Sequence, residues 1–168
     1  MKKKLTMVGG PMGVGKTTVC QQLKELLPRS VLLDGDWCWD MSPFVVNDET
    51  KCMVLQNIAY LLQNFLSCSV FEHVIFCWVM PQQEIMEDIL SRLSLESVEL
   101  RCVSLVCSEE ALREHLQGDV DRGVREKSVI ARALSYLPLY EKQNTVKIDV
   151  GGCSVQETAQ RIADLWEF

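Results

Sequence analysis

Gly10, Gly15, Lys16 and Thr17 stand in the order Gly-x-x-x-x-Gly-Lys-Thr, inside Gly9-Gly10-Pro11-Met12-Gly13-Val14-Gly15-Lys16-Thr17-Thr18. Glycines at this spacing let successive backbone N–H groups turn toward one point, and a helix opening at Lys16 aims the positive end of its dipole there too. The anion that suits such a cradle is a polyphosphate: the Lys16 ammonium can bridge its outer phosphates, and the Thr17 hydroxyl can ligate Mg²⁺. Gly10, Met12, Gly13, Val14, Gly15, Lys16, Thr17 and Thr18 are therefore the expected contacts of a nucleotide triphosphate. A glycine-rich turn with a solvated lysine is the alternative, but average glycine usage makes a chance match rarer than about 1% over such a chain. A second constellation is Asp34-Gly35-Asp36, followed by Trp37, Trp39 and Asp40. Such a triplet also suits a plain turn. Two acids beside a polyphosphate, however, are unfavourable unless a cation or a proton-transfer role offsets the repulsion.

The loop works only if a strand delivers it and a helix follows. Residues 5–8 are an apolar run that enters the glycines, and Val19, Leu23 and Leu26 recur behind them at helical spacing until Pro28. The same alternation continues, with strands expected at 31–33, 73–80, 98–106 and 145–150. Asp48 is expected to cap a helix whose face is Val54, Ile58, Leu61, Leu62 and Phe65, and Pro81 to open one carrying Ile85, Ile89 and Leu93. Ser108, with Glu109 and Glu110 behind it, caps a helix expected to end near Gly118; Ser154 and Glu157 form a capping box before Ala159, Ile162, Ala163 and Trp166. Strands alternating with helices imply an α/β fold, here a three-layer α/β/α sandwich with a five-stranded parallel sheet, in one domain over 1–168. Residues 118–127 are polar and charged and are expected to form a surface excursion before a helix resumes toward Leu137-Pro138. In such sheets ligands gather beyond the carboxyl ends of the strands, where both the glycine loop and Asp34 fall. Alternation along an extended segment would send Asp34 and Asp36 to one side.

Composition narrows the partners. Seventeen basic against 23 acidic residues give a net charge of −6, which disfavours broad electrostatic capture of nucleic acid or anionic lipid. None of the eight cysteines forms a C-x-x-C pair, so a zinc ribbon is excluded, and most lie in apolar periodic segments as small hydrophobes of a reducing compartment. No apolar run is long enough to span a bilayer. A cytoplasmic monomer or homodimer is expected, with His73 and His115 structural.

The loop and the acidic triplet together resemble the small P-loop kinases of the nucleoside monophosphate kinase-like fold, a group that includes shikimate, gluconate and adenylyl-sulfate kinases. Asp34-Gly35-Asp36 is similar to the Asp-x-Asp of shikimate kinases and the Asp-Gly-Asp of adenylyl-sulfate kinases. The resemblance implies that Asp34 holds Mg²⁺ and that Asp36 orients and deprotonates an acceptor hydroxyl. It also implies that 118–127 is a lid whose Arg122 and Arg125 close on the phosphates, and that Arg113 stacks on adenine; solvated surface charge is the alternative for all three. Trp37 and Trp39 form either the wall of an acceptor pocket or helix packing. The implied activity is transfer of the γ-phosphate of ATP to a hydroxyl or phosphate of a small molecule. The alternatives are a nucleoside, nucleotide or antibiotic-modifying kinase, and a module that binds ATP and hydrolyses it slowly or not at all. One departure matters: Phe76-Cys77-Trp78-Val79-Met80 carries no acid, where many phosphate-loop ATPases place a Mg²⁺-holding Asp. That argues against a motor or switch and leaves Asp34 as the expected metal carboxylate, an acid elsewhere in the chain being the alternative.

Overall fold

Aliphatic and β-branched side chains fill both faces of the sheet, which is why its strands can all run parallel beneath helices. The computed structural model describes residues 2–167, so Met1 and Phe168 of the expected domain lie outside the described residues. The strands are β1 (Lys3–Gly9), β2 (Ser30–Asp34), β3 (His73–Cys77), β4 (Val98–Val106) and β5 (Val146–Asp149). They pair in parallel in the order β2-β3-β1-β4-β5. The helices are α1 (Lys16–Leu26), α2 (Asp48–Ser67), α3 (Gln83–Ser91), α4 (Glu109–Asp121), α5 (Ser128–Lys142) and α6 (Val155–Ala163). On one face Val8, Ile75 and Val103 pack with Val19 and Leu23 of α1 and Ile162 of α6. On the other, Met7 and Phe76 pack with Val54, Ile58 and Leu62 of α2 and Ile89 of α3. Leu112, Leu116, Ala133 and Leu137 join α4 to α5. The fold is therefore the expected three-layer P-loop sandwich. No helix among the described residues is long and apolar enough to cross a membrane.

Several boundaries differ from expectation, each for a tertiary reason. β3 stops at Cys77 rather than Met80 because β2, its outer neighbour, ends in register there, with Asp34 opposite Cys77. Beyond it, the Met80 amide donates to the Tyr140 hydroxyl at 2.9 Å, and Gln143 donates to the Met80 carbonyl. Asn47, not Asp48, caps α2, through a reciprocal box with Thr50. α4 continues past Gly118 because Leu116 and Asp119 are buried, so only 122–127 of the expected excursion is non-helical. α5 runs through Pro138 to Lys142, its last turns held by buried Leu137 and Tyr140.

Candidate active site

β1 ends at Gly9 and the chain wraps into the glycine loop before α1. At Gly13 φ is 81°, and a Cβ there would stand 2.3 Å from Leu116 of α4. Glycine is therefore required twice, for the backbone turn and for the approach of α4. α2, α4 and α6 are capped by Asn47, Ser108 and Ser154, whereas α1, preceded by Gly15, has no side-chain cap and no acid in its first turn. Its orphan amides form a helix terminus suited to an anion.

A cavity of 240 Å³ opens at this terminus. Met12, Gly13, Gly15, Lys16, Thr17 and Thr18 line it on one side, Asp34 and Asp36 on another, and Val79, His115, Asp119 and Arg125 complete it. Gly10 and Val14 belong to the loop but do not line the cavity: a Cβ on Gly10 would stand 2.9 Å from the Leu105 carbonyl oxygen, and Val14 is buried in the core. The Lys16 ammonium donates to the Pro11 carbonyl at 2.9 Å. Burial lowers its pKa to about 8 against the pull of Asp36 and Asp34.

Asp34 organises the acidic edge. One of its oxygens accepts from the Thr17 hydroxyl at 2.5 Å and the other from the Asp36 amide at 2.9 Å. The chain does not stay extended past β2, as the alternation argument assumed, but coils into a 3₁₀ turn over Gly35–Trp39 that Asp34 caps. That cap, rather than strand alternation, brings Asp36 to the same cavity. The Asp36 carboxyl accepts from the Trp78 indole N–H at 3.1 Å. Burial, then the neighbouring Asp34 charge, push its pKa upward, with Lys16 opposing. A Cβ on Gly35 would lie 2.4 Å from the Trp78 ring, so the indole reaches Asp36 only across a glycine.

The arginines arrive differently from the expectation. Arg125 donates to Asp119 at 3.1 Å and lines the cavity. Arg122 donates to the same carboxylate but remains 65% exposed and lies outside the cavity wall. Arg113 is exposed on α4, away from that wall. His73 is buried at the start of β3, its ring edge-on to Trp166, whereas His115 lines the cavity despite the structural role expected of it.

Beside Asp36 the cavity continues into two adjoining hollows of 480 and 500 Å³ that share Trp39, Val46, Trp78, Val79 and Tyr136. Trp39 is thus a wall residue, but Trp37 is 52% exposed and lines neither hollow. Sequence reasoning missed Trp78, Asp119 and Tyr136. Trp78 follows the carboxyl end of β3, so the strand-end rule that flagged Asp34 would have found it. Asp119 precedes Arg122 by one helical turn, a spacing that marks an ion pair. Tyr136 carries no local signal.

The AAA domain family matches residues 7–137 of the chain. No curated protein is detectably similar to it in sequence. Solved structures share the fold. The tunicamycin resistance protein of Deinococcus radiodurans superposes with a TM-score of 0.70 at 19% identity, over 98% of this chain and 96% of that one. The APS kinase of Mycobacterium tuberculosis, in complex with AMPPNP and APS, gives 0.67 at 15% identity over 99% of both chains. Shikimate kinase from Acinetobacter baumannii, in complex with shikimate, gives 0.65 at 22% identity over 99% of this chain and 94% of that one.

Proposed function

The chain belongs to the AAA domain family, and from that premise we propose that it is a P-loop kinase, moving the γ-phosphate of ATP to a hydroxyl or phosphate of a small molecule. The observation that carries this reading is the meeting, in one cavity, of the uncapped α1 terminus, Lys16 and the carboxyl of Asp36. The loop amides and Lys16 hold the phosphates and offset the charge that develops on the transferred group. Asp36 receives the proton of the acceptor hydroxyl, and a carboxyl whose pKa is raised is the better base for that step. The Trp78 N–H fixes one Asp36 oxygen, leaving the other to face the acceptor. Arg125 supports the phosphoryl group from the side opposite Lys16, with Arg122 following as 122–127, the non-helical part of the expected lid, closes.

The Thr17 hydroxyl and the Asp34 carboxylate, paired at 2.5 Å, are hard oxygen donors and fit Mg²⁺, which keeps waters and substrate phosphates as its remaining ligands. Those two residues would hold it, and bound there it would supply charge neutralisation across the phosphate oxygens. Arg113 has no place at the phosphates, and we leave it to the adenine end or to solvent. A nucleoside or antibiotic-modifying kinase is the second reading, favoured by the aromatic walls beside Asp36. A non-catalytic ATP-binding module is the third, favoured by the hold of Asp119 on both arginines.

Asp36→Asn separates catalysis from binding. Turnover in an acceptor-dependent ADP-release assay should fall by about 10²–10⁴, with Mg-ATP affinity retained within about threefold. Unchanged turnover would remove Asp36 from the mechanism, and absence of acceptor-dependent turnover in the native chain would favour the binding module.

A further inference from the structure

The cleft beyond Asp36 has the character of its walls rather than of the phosphate cavity. Trp39 comes from the end of the 3₁₀ turn, Trp78 from the exit of β3 and Tyr136 from α5, so three separate elements each contribute a ring to one hollow. Two further rings adjoin these, exposed Phe44 on the wall of the hollow and buried Phe76 in the core. Phe44 lies 5.6 Å from Trp39 and Phe76 lies 6.4 Å from Trp78, centroid to centroid, both tilted. Val46, Leu55, Pro81 and Ile85 supply further apolar wall in the 500 Å³ hollow. Polar side chains stand at the edges: Lys51 and Gln82 on the 500 Å³ hollow, Asp36, Arg125 and Arg132 on the 480 Å³ one. The Trp78 N–H is already committed to Asp36, and Lys51 and Arg132 are exposed.

Resting on the kinase reading, we propose that the acceptor is a ring-bearing alcohol: a molecule of about nucleoside size whose planar aromatic ring packs among Trp39, Trp78 and Tyr136 and whose hydroxyl reaches Asp36. Hollows of 480 and 500 Å³ fall in the range of sites that enclose a small organic molecule. Among the three rings themselves a polyol would set hydroxyls against ring faces, whereas an aromatic ring gains offset or edge-on contact with each of them. The orientation follows from Asp36, the carboxylate common to the cleft and the phosphate cavity. The acceptor oxygen forms a bond to the γ-phosphorus, the bond from that phosphorus to the bridging oxygen of ADP breaks, and the hydroxyl proton passes to Asp36.

The test uses the full chain with two probe sets: uridine, thymidine and pyridoxine against gluconate, shikimate and glycerol. Binding is read by saturation-transfer NMR with Mg²⁺ and a non-hydrolysable ATP analogue present, and transfer by ADP release with the product mass determined. The ring-bearing set should bind and at least one member should be phosphorylated. Trp39→Ala and Tyr136→Ala should raise its KM by about tenfold or more while ATP affinity stays within about twofold, and Trp39→Phe, which keeps a ring, should stay within about threefold of the native KM. Phosphorylation of a polyol without binding of any ring-bearing probe would overturn the acceptor class and leave the kinase reading intact. Ring binding that Trp39→Ala abolishes, with no transfer to any probe, would support the ligand class and overturn the kinase reading. Binding by neither set would overturn the acceptor class.

Discussion

The lowered pKa of Lys16 makes nucleotide affinity a function of pH with a definite sign. Burial brings the ammonium to about 8, so Lys16 in the empty site loses its positive charge as pH rises through that value. A bound triphosphate favours the charged form and returns the pKa toward or above the ordinary lysine value of about 10.4. With a free-state pKa of about 8, the charged fraction falls from roughly 0.76 at about pH 7.5 to roughly 0.03 at about pH 9.5, so affinity should weaken about 25-fold, close to 2 kcal/mol. An unperturbed lysine would lose only about 10% of its charge over the same interval. Isothermal calorimetry of Mg-ATP binding at the two pH values measures the change. Repeating it near pH 9 in buffers of different ionisation enthalpy should report uptake of about 0.9 proton. Lys16→Arg should flatten the profile, because a guanidinium stays charged throughout. A loss under about threefold with no proton uptake would show that the ammonium is charged in the empty site, and the burial argument would fall.

Two further perturbations follow from the packing around the acids. Gly35→Ala sets a methyl 2.4 Å from the Trp78 ring; displacing the indole should cost about 1–3 kcal/mol of stability and about tenfold or more in kcat, read by denaturant titration and turnover, and a native-like kcat would refute the role of the Trp78 N–H. Asp119→Asn loosens Arg122 and Arg125, whose partial exposure holds the loss to about 1 kcal/mol, or roughly 2–4 °C in Tm. Removal of a negative charge from the cavity wall should at the same time enlarge the thermal shift produced by Mg-ATP, and an unchanged shift would show that Asp119 does not face the phosphates.

What could be read from the sequence was what is local. The glycine loop is contiguous, so its motif, its strand and its helix all fall within one stretch of chain and need no tertiary information. Asp34 was legible because a strand end is itself a position in the fold. Asp36 reached the expected cavity by an unexpected route, through a 3₁₀ turn capped by Asp34. The aromatic walls beside Asp36 were legible only in part, since Trp39 and Trp37 share a segment and the turn alone decides which faces inward. Tyr136 and Trp78 meet because α5 crosses the exit of β3, a long-range arrangement without a local signature. The early end of β3 is of the same kind, for Tyr140 and Gln143 take the Met80 backbone groups from positions 60 and 63 residues away.

Tyr140 touches more than Met80. Its hydroxyl also meets the Gly10 backbone, its ring closely covers Gly9, and Val79, next to Met80, forms part of the wall on both sides of Asp36. One phenol therefore ties the wall of the hollow beside Asp36 to the root of the glycine loop. On the kinase reading, whatever factor an acceptor pressing on Val79 adds to or takes from ATP affinity, ATP must impose in the same measure on the acceptor, so the two affinities should be measured together.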